Sequence, residues 1–126
     1  MKVLQVAQHA VDLERAGAWY ERLLEQPPAA VYDPPGLLFF VLDGTRLLLD
    51  RGAPSALIYL RVPDVGRTVE RLRADGVEIV EEPAVIFAHR DDTLGPAGTD
   101  EWMAFVRDSE GNLVGLVSQL PAESGS

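Results

Sequence analysis

Residues 11–24 read VDLERAGAWYERLL, and residues 63–76 follow the same plan as PDVGRTVERLRADG. In each stretch an aspartate, Asp12 or Asp64, precedes apolar residues spaced three and four apart, the pattern of an amphipathic helix with an acidic N-cap. These apolar residues are Leu13, Ala16, Tyr20 and Leu24 in the first stretch, and Val65, Val69 and Leu72 in the second. Pro27-Pro28 ends the first helix and Gly76 the second. The sequence therefore predicts two similar helices.

Short apolar runs flank each helix and predict strands. VLQVAQHA precedes the first helix, and AAVYD, LLFFVL and TRLLLD follow it. ALIYLRV precedes the second helix, and GVEIVEE, EWMAFVRD and NLVGLVS follow it. Between two of these runs, Asp43-Gly44 is typical of a two-residue hairpin turn with positive φ. Strand, helix and three strands occur twice, which predicts an α+β fold of two βαβββ units.

The chain has 126 residues, which fits one domain. We expect repeat one at 1–52, repeat two at 55–120, and a disordered tail at 121–126. The second repeat is longer by about fifteen residues, because the helices match at an offset of 52 and the last strands at 67. The polar segment HRDDTLGPAGTD, residues 89–100, fits this extra length as a loop.

Charge and composition exclude several classes of function. Twenty acidic and eleven basic residues give a net charge of −9, which disfavours nucleic acid and anionic membranes as partners. The chain has no cysteine, so disulfides and thiolate chemistry are excluded. It has no apolar run of the ~20 residues that a membrane helix needs, and its start lacks a secretory signal. We expect a cytoplasmic protein.

Four stretches resemble the glyoxalase, bleomycin resistance and extradiol dioxygenase superfamily, also called the vicinal oxygen chelate fold. They are VDLERAGAWYERLL, GTRLLLD, PDVGRTVERLRADGVEI and EWMAFVRDSEGNLVGLV. In the last, Ser109 stands where the family usually has proline. The resemblance implies a curved mixed sheet enclosing a cleft, with the helices on its outer face, and often a homodimer.

Enzymes of this family hold a divalent metal in the cleft through ligands on the first and fourth strands of each unit. The resemblance places these ligands on Gln5, Leu48, Leu57 and Gly115, and of these only Gln5 has a donor atom in its side chain. Since a catalytic metal normally keeps three protein ligands, we expect no metal cofactor. A non-standard site using His9, His89 or Glu101 stays open as an alternative.

Strand alternation predicts which residues share the cleft face with the former ligand positions. From these residues, with Trp102 as a closing aromatic, we take the following ligand-binding set: Gln5, His9, Arg46, Leu48, Leu57, Tyr59, Arg61, Trp102 and Gly115. Arg46 and Arg61 are candidates to bind a carboxylate or phosphate. Alternatively, each arginine pairs with an acid such as Asp50 or lies at the rim in water.

Two functions follow from the resemblance. The first is a metal-free, small-molecule-binding protein that sequesters a flat or anionic ligand, as the bleomycin resistance members sequester theirs. The second is a lyase, isomerase or epimerase of the glyoxalase I kind acting on a carbonyl substrate, with Arg46, Arg61 and Tyr59 stabilising charge and His9 or Asp50 as base. The sequence assigns no catalytic residue.

Overall fold

The computed structural model describes residues 1–123. Its elements, in chain order, are β1 Gln5–His9, α1 Leu13–Leu24, β2 Ala30–Tyr32, β3 Leu37–Leu42, β4 Thr45–Asp50, β5 Ile58–Arg61, α2 Val65–Ala74, β6 Ile79–Ala88, β7 Thr99–Arg107 and β8 Leu113–Pro121. The prediction of two βαβββ units is confirmed. The long loop is shorter than expected because Thr99 and Asp100 already belong to β7.

Both helices begin at the predicted aspartates. The Asp12 carboxylate accepts a hydrogen bond from the Arg15 amide at 3.0 Å, and Asp64 accepts one from the Arg67 amide at 3.2 Å. Each bond satisfies one of the amide groups that a first helical turn leaves without a partner. Gly76, at φ 81°, follows the end of α2 in the left-handed conformation that favours glycine.

The strands form two four-stranded sheets, in the orders β1-β4-β3-β2 and β5-β8-β7-β6. In the first sheet β1 and β4 are parallel, whereas β2, β3 and β4 are successively antiparallel. Asp43 and Gly44 both have positive φ, 49° and 82°, as the hairpin between β3 and β4 requires.

One face of each sheet packs against its helix. In the first sheet this face carries apolar residues that are 5% exposed or less, namely Leu38, Phe40, Leu47 and Leu49. In the second it carries the equally buried Ala104, Val106, Val114 and Leu116. Because strand residues alternate between faces, the residues between these point to the opposite side, which we call the front face of each sheet.

The chain divides into two compact units that differ from the expected repeats. The first comprises 1–58 and the turn 108–112, and the second comprises 59–107 and the chain from Leu113 onward. The expected tail begins too early, because Pro121 still lies in β8 and the Ala122 amide donates to Gly98. The remainder of that tail, 124–126, lies outside the described residues.

The turn 108–112 belongs to the first unit because its acidic side chains bind groups of that unit. The buried Asp108 carboxylate accepts a hydrogen bond from the Tyr20 hydroxyl at 2.7 Å. Burial, and then the Asp108 charge, raise the pKa of Tyr20. Glu110 accepts from the amides of Val11 and Asp12, both at 3.0 Å, and from Arg15 Nε at 2.7 Å. The turn is thus fastened to the start of α1.

Within residues 1–123, neither helix has the length and apolar character needed to cross a bilayer. The longer one, α1, has 12 residues, against about 20 for a bilayer-spanning helix.

Candidate functional site

The front face of the first sheet brings together the predicted residues of β1 and β4. The parallel register pairs Gln5 with Arg46, Ala7 with Leu48 and His9 with Asp50. On the other side of β4, Phe39 lies opposite Leu48. Side chains that pair directly across a sheet lie on the same face, so these rungs form one continuous surface.

Arg46 is held in place by neutral groups on this surface. Its Nε donates to Gln5 Oε1 at 2.9 Å, and its guanidinium carbon lies 5.8 Å from the centre of the Phe39 ring. The Tyr32 ring meets Phe39 edge-on, with ring centres 6.1 Å apart. The contacts of the guanidinium with Gln5 and with the Phe39 ring orient it without neutralising its charge.

Neither arginine of the predicted set pairs with an acid among residues 1–123. Arg46 and Asp50 lie four residues apart on β4, about 13 Å along a strand, which is too far for an ion pair. The Asp50 carboxylate instead accepts from the Gly52 amide at 2.8 Å. Arg46 and Arg61 are both exposed. The alternative in which Arg46 pairs with Asp50 is therefore wrong.

The two candidate bases, His9 and Asp50, are direct partners across β1 and β4. The backbone of His9 is fixed from both sides, because its amide donates to Ser55 Oγ and its carbonyl accepts from Asn112 Nδ2 at 2.8 Å. The chain thus places an imidazole and a carboxylate side by side on the front face of the first sheet.

The four positions of the family's chelate site do not fit a metal ion. Gln5 Oε1 already accepts from the Arg46 guanidinium, a cation that would repel a second one. Leu48 is 7% exposed and has no donor, and Leu57 precedes β5 as an exposed residue. Gly115 has no side chain, and the Tyr59 ring lies where one would be.

The front face of the second sheet carries Tyr59, Arg61, Phe105 and Gly115. Gly115 pairs with Phe105 in the register of β7 and β8. The Tyr59 ring packs over Gly115 and meets Phe105 edge-on, with ring centres 5.9 Å apart. Tyr59 is nevertheless 53% exposed.

Trp102 is not part of this surface. It pairs with Ser118 across β7 and β8, and Ser118 Oγ accepts from the Val65 amide at the start of α2 at 3.1 Å. Strand alternation therefore places Trp102 on the helix side of the sheet, so the prediction that it closes the cleft is wrong.

His89 and Glu101 form a cluster that sequence reasoning found only in part. His89 Nε2 lies 2.8 Å from Glu101 Oε1, and Gln119 Nε2 donates to the same oxygen at 3.1 Å. Gly95 covers them, since a side chain there would come within 2.8 Å of both His89 and Gln119. Among residues 1–123, no three histidine or acidic side chains gather closely enough to hold a metal. The cluster lies at the base of the 89–98 loop, where the His89 amide donates to the Thr99 carbonyl at 2.8 Å and the Gly98 amide donates to the His89 carbonyl at 2.9 Å.

A groove of about 470 Å³ lies on the helix side of the first unit. It is lined by Asp12, Leu13, Glu14, Gly17, Ala18, Glu21, Pro28, Val31, Asp33, Leu38 and Arg51. None of the predicted ligand-binding residues is among them. One of its acids caps α1 and another, Asp33, faces Arg51 at 3.3 Å, so these two have structural roles. We place one candidate surface on the front face of the first sheet and another on the front face of the second.

The family model for the Glyoxalase/Bleomycin resistance protein/Dioxygenase superfamily matches residues 2–116. The chain belongs to this superfamily. A superfamily protein from Alicyclobacillus acidocaldarius is 16% identical with a TM-score of 0.64, the match covering 94% of this chain and 91% of that one. A glyoxalase-related enzyme from Fulvimarina pelagi is 17% identical with a TM-score of 0.68, covering 94% and 88%.

A glyoxalase I mutant from Zea mays is 17% identical with a TM-score of 0.67, and the match covers 92% of this chain and 44% of that one. At such identities these superfamily likenesses concern the fold alone. No curated protein sequence matches this chain.

Proposed function

We propose that this superfamily member binds small anionic molecules, without a metal ion, on the front face of each sheet taken by itself. The observation that carries the proposal is that Arg46 is held by neutral groups and forms no described ion pair. Its guanidinium is oriented by Gln5 Oε1 at 2.9 Å and by the Phe39 ring at 5.8 Å, and no described carboxylate pairs with it.

The described partners of Arg46 are neutral, whereas other arginines of the chain form ion pairs, namely Arg15, Arg51, Arg67 and Arg73. An arginine that lies beside an aromatic ring with its charge uncompensated is suited to a negatively charged ligand. The guanidinium keeps donors for a bidentate contact with a carboxylate or phosphate. Leu48 and Phe39 supply apolar surface for the rest of the ligand, the usual composition of a small-molecule site.

The same hydrogen bond supports a site that works without metal. Gln5 is the one chelate-position residue with a donor oxygen, and that oxygen binds Arg46. Metal analysis of the purified protein tests this part, and we expect less than about a tenth of an equivalent of zinc, nickel, manganese or iron, because fewer than three ligands are present. A full equivalent of any of these metals would contradict it and favour the lyase or isomerase alternative.

Replacing Arg46 with glutamine is expected to weaken binding of 2-naphthoate about ten- to a hundredfold, since a charge-assisted hydrogen bond is lost. Calorimetric titration measures the affinity, and 2-naphthalenemethanol serves as a neutral counterpart whose binding changes little. Arg51→Gln is the matched control, because Arg51 pairs with Asp33 on the groove side. Equal loss in both variants, or no loss in Arg46→Gln, would contradict the proposal.

We also include a cytoplasmic homodimer in the proposal. Three consecutive apolar residues of β6, Val85, Ile86 and Phe87, are exposed by 38% or more, which supports a contact with a second copy. Light scattering would give a dimer mass of twice 13.8 kDa if the proposal holds, and 13.8 kDa if it fails.

A further inference from the structure

Gly115 allows an aromatic ring to lie directly on the backbone of β8. A Cβ atom at this position would stand 2.6 Å from Tyr59 Cδ1 and 3.0 Å from Tyr59 Cε1. The same atom would stand 3.3 Å from Phe105 Cε1. Any other residue would lift the Tyr59 ring off the sheet, because side chains do not pack at such distances.

Phe105 fixes the same ring from the side. The two rings meet edge-to-face, with centres 5.9 Å apart and planes at 75°. This arrangement is favourable for aromatic pairs. The Tyr59 ring therefore packs on the Gly115 backbone and against the Phe105 ring, yet Tyr59 remains 53% exposed. A tyrosine that is both exposed and held in one orientation is the kind of residue in which binding hot spots are enriched.

We propose that Tyr59 is a stacking platform that selects ligands with a flat, conjugated ring system. Arg61 supplies the charge contact: it lies two residues further along the same strand face, about 7 Å away, is exposed, and forms no described ion pair. The inference rests on the proposed function, because it names the class of ligand, a planar aromatic anion. At Gly115, a metal-ligand position of the family that has no side chain here, the free space is taken by the Tyr59 ring.

Two carboxylates with one carbon skeleton test the platform. 2-Naphthoate is flat, whereas decahydro-2-naphthoate has the same charge and connectivity but puckered rings. Calorimetric titration of the wild-type protein is expected to show about a fivefold or greater preference for 2-naphthoate, as stacking on an aromatic ring predicts. Equal affinities would overturn the inference.

Three variants assign the preference to the ring. Tyr59→Leu should reduce the preference below about twofold, whereas Tyr59→Phe should keep it, because stacking needs the ring and not the hydroxyl. Gly115→Ala should lose it with the tyrosine still present, since the added methyl displaces the ring. A preference that survives in Tyr59→Leu would overturn the proposal even if Gly115→Ala fails to fold.

A ligand-free measurement checks the geometry itself. The α-proton of Gly115 that points in the Cβ direction lies against the Tyr59 ring, so the glycine's α-proton NMR signals should be shifted by the ring current in the wild type and in Tyr59→Phe but not in Tyr59→Leu. Unshifted signals in the wild type would overturn the platform.

The two proposals fail in different ways. If both naphthoates bind equally and both weaken in Arg46→Gln, the anion-binding function stands and the platform is refuted. If neither carboxylate binds, both proposals are refuted.

Discussion

Replacing Asp108 with alanine is expected to lower the free energy of unfolding by about 3 to 5 kcal/mol, because the change leaves several buried donors without an acceptor. The Asp108 carboxylate accepts four hydrogen bonds and is 6% exposed. Its donors are the Tyr20 hydroxyl at 2.7 Å and, all at 2.8 Å, the Glu110 amide, the Asn112 amide and Asn112 Nδ2. Urea unfolding at neutral pH measures the loss.

Tyr20→Phe provides the graded comparison, since it removes one of the four donors and keeps the ring. We expect a loss of about 1 to 2 kcal/mol, because the Tyr20 hydroxyl donates to Asp108 and also accepts from Gln8 Nε2 at 3.3 Å. If Asp108→Ala were no more damaging than Tyr20→Phe, the carboxylate would not be the organising group of the turn. If Asp108→Ala does not fold, that outcome agrees with the larger expected loss, and the loss in the free energy of unfolding can still be measured for Tyr20→Phe.

Replacing Glu110 with glutamine is expected to cost about 2 kcal/mol near neutral pH, with the loss disappearing in acid. The Glu110 side chain is 2% exposed, and the hydrogen bond from Arg15 is the main reason that its pKa falls from an ordinary 4.5 to about 2. Desolvation raises the pKa of Glu110, and the hydrogen bond from the Asp12 amide lowers it further.

The sign of the pH dependence follows from the lowered pKa. A carboxylate whose pKa is depressed by folding stabilises the folded state above pH 4.5, and this contribution is lost as the pH falls towards 2. Urea titrations at pH 7, 4 and 3 should therefore show that the difference in the free energy of unfolding between wild type and Glu110→Gln becomes smaller as the pH falls. Glu14→Gln is the matched control, because Glu14 is exposed on α1, next to the Arg15 that binds Glu110, and has no described partner. If the difference in the free energy of unfolding did not change with pH, the stabilising role of the Glu110 charge would be contradicted.

These two acids also bear on the candidate site. They hold the turn that carries Asn112, and Asn112 Nδ2 binds the carbonyl of His9 at 2.8 Å. His9 is the partner of Asp50 on the front face. Loosening the turn should therefore disturb the end of β1 where the imidazole lies.

Local rules sufficed for much of the fold. Asp12 and Asp64 cap their helices because a carboxylate satisfies free amides wherever it precedes a helix. Asp43-Gly44 forms the hairpin turn because the two residues tolerate positive φ. Strand alternation correctly put Gln5, Arg46 and Leu48 on one face.

Other features depend on neighbours that are distant in sequence. Trp102 was assigned by its aromatic character, but it alternates in step with the buried Ala104 and Val106 of β7 and pairs with the buried Ser118 of β8, which places it on the helix side. The Arg46 partner is Gln5, 41 residues away, and not the nearby Asp50, since four strand residues separate those two too widely.

The sequence by itself determined the two βαβββ units, their caps and hairpin, because each of these depends on residue type and local spacing. The resemblance to the family implied which positions correspond to its metal ligands, and the residue types there show that most lack a donor side chain. The tertiary structure alone decided that Tyr59 occupies the space over Gly115, that Gln5 holds Arg46, and that Asp108 and Glu110 fasten a late turn to the first helix. These contacts join residues far apart in the chain, and only sheet register and packing fix which of many compatible partners meet.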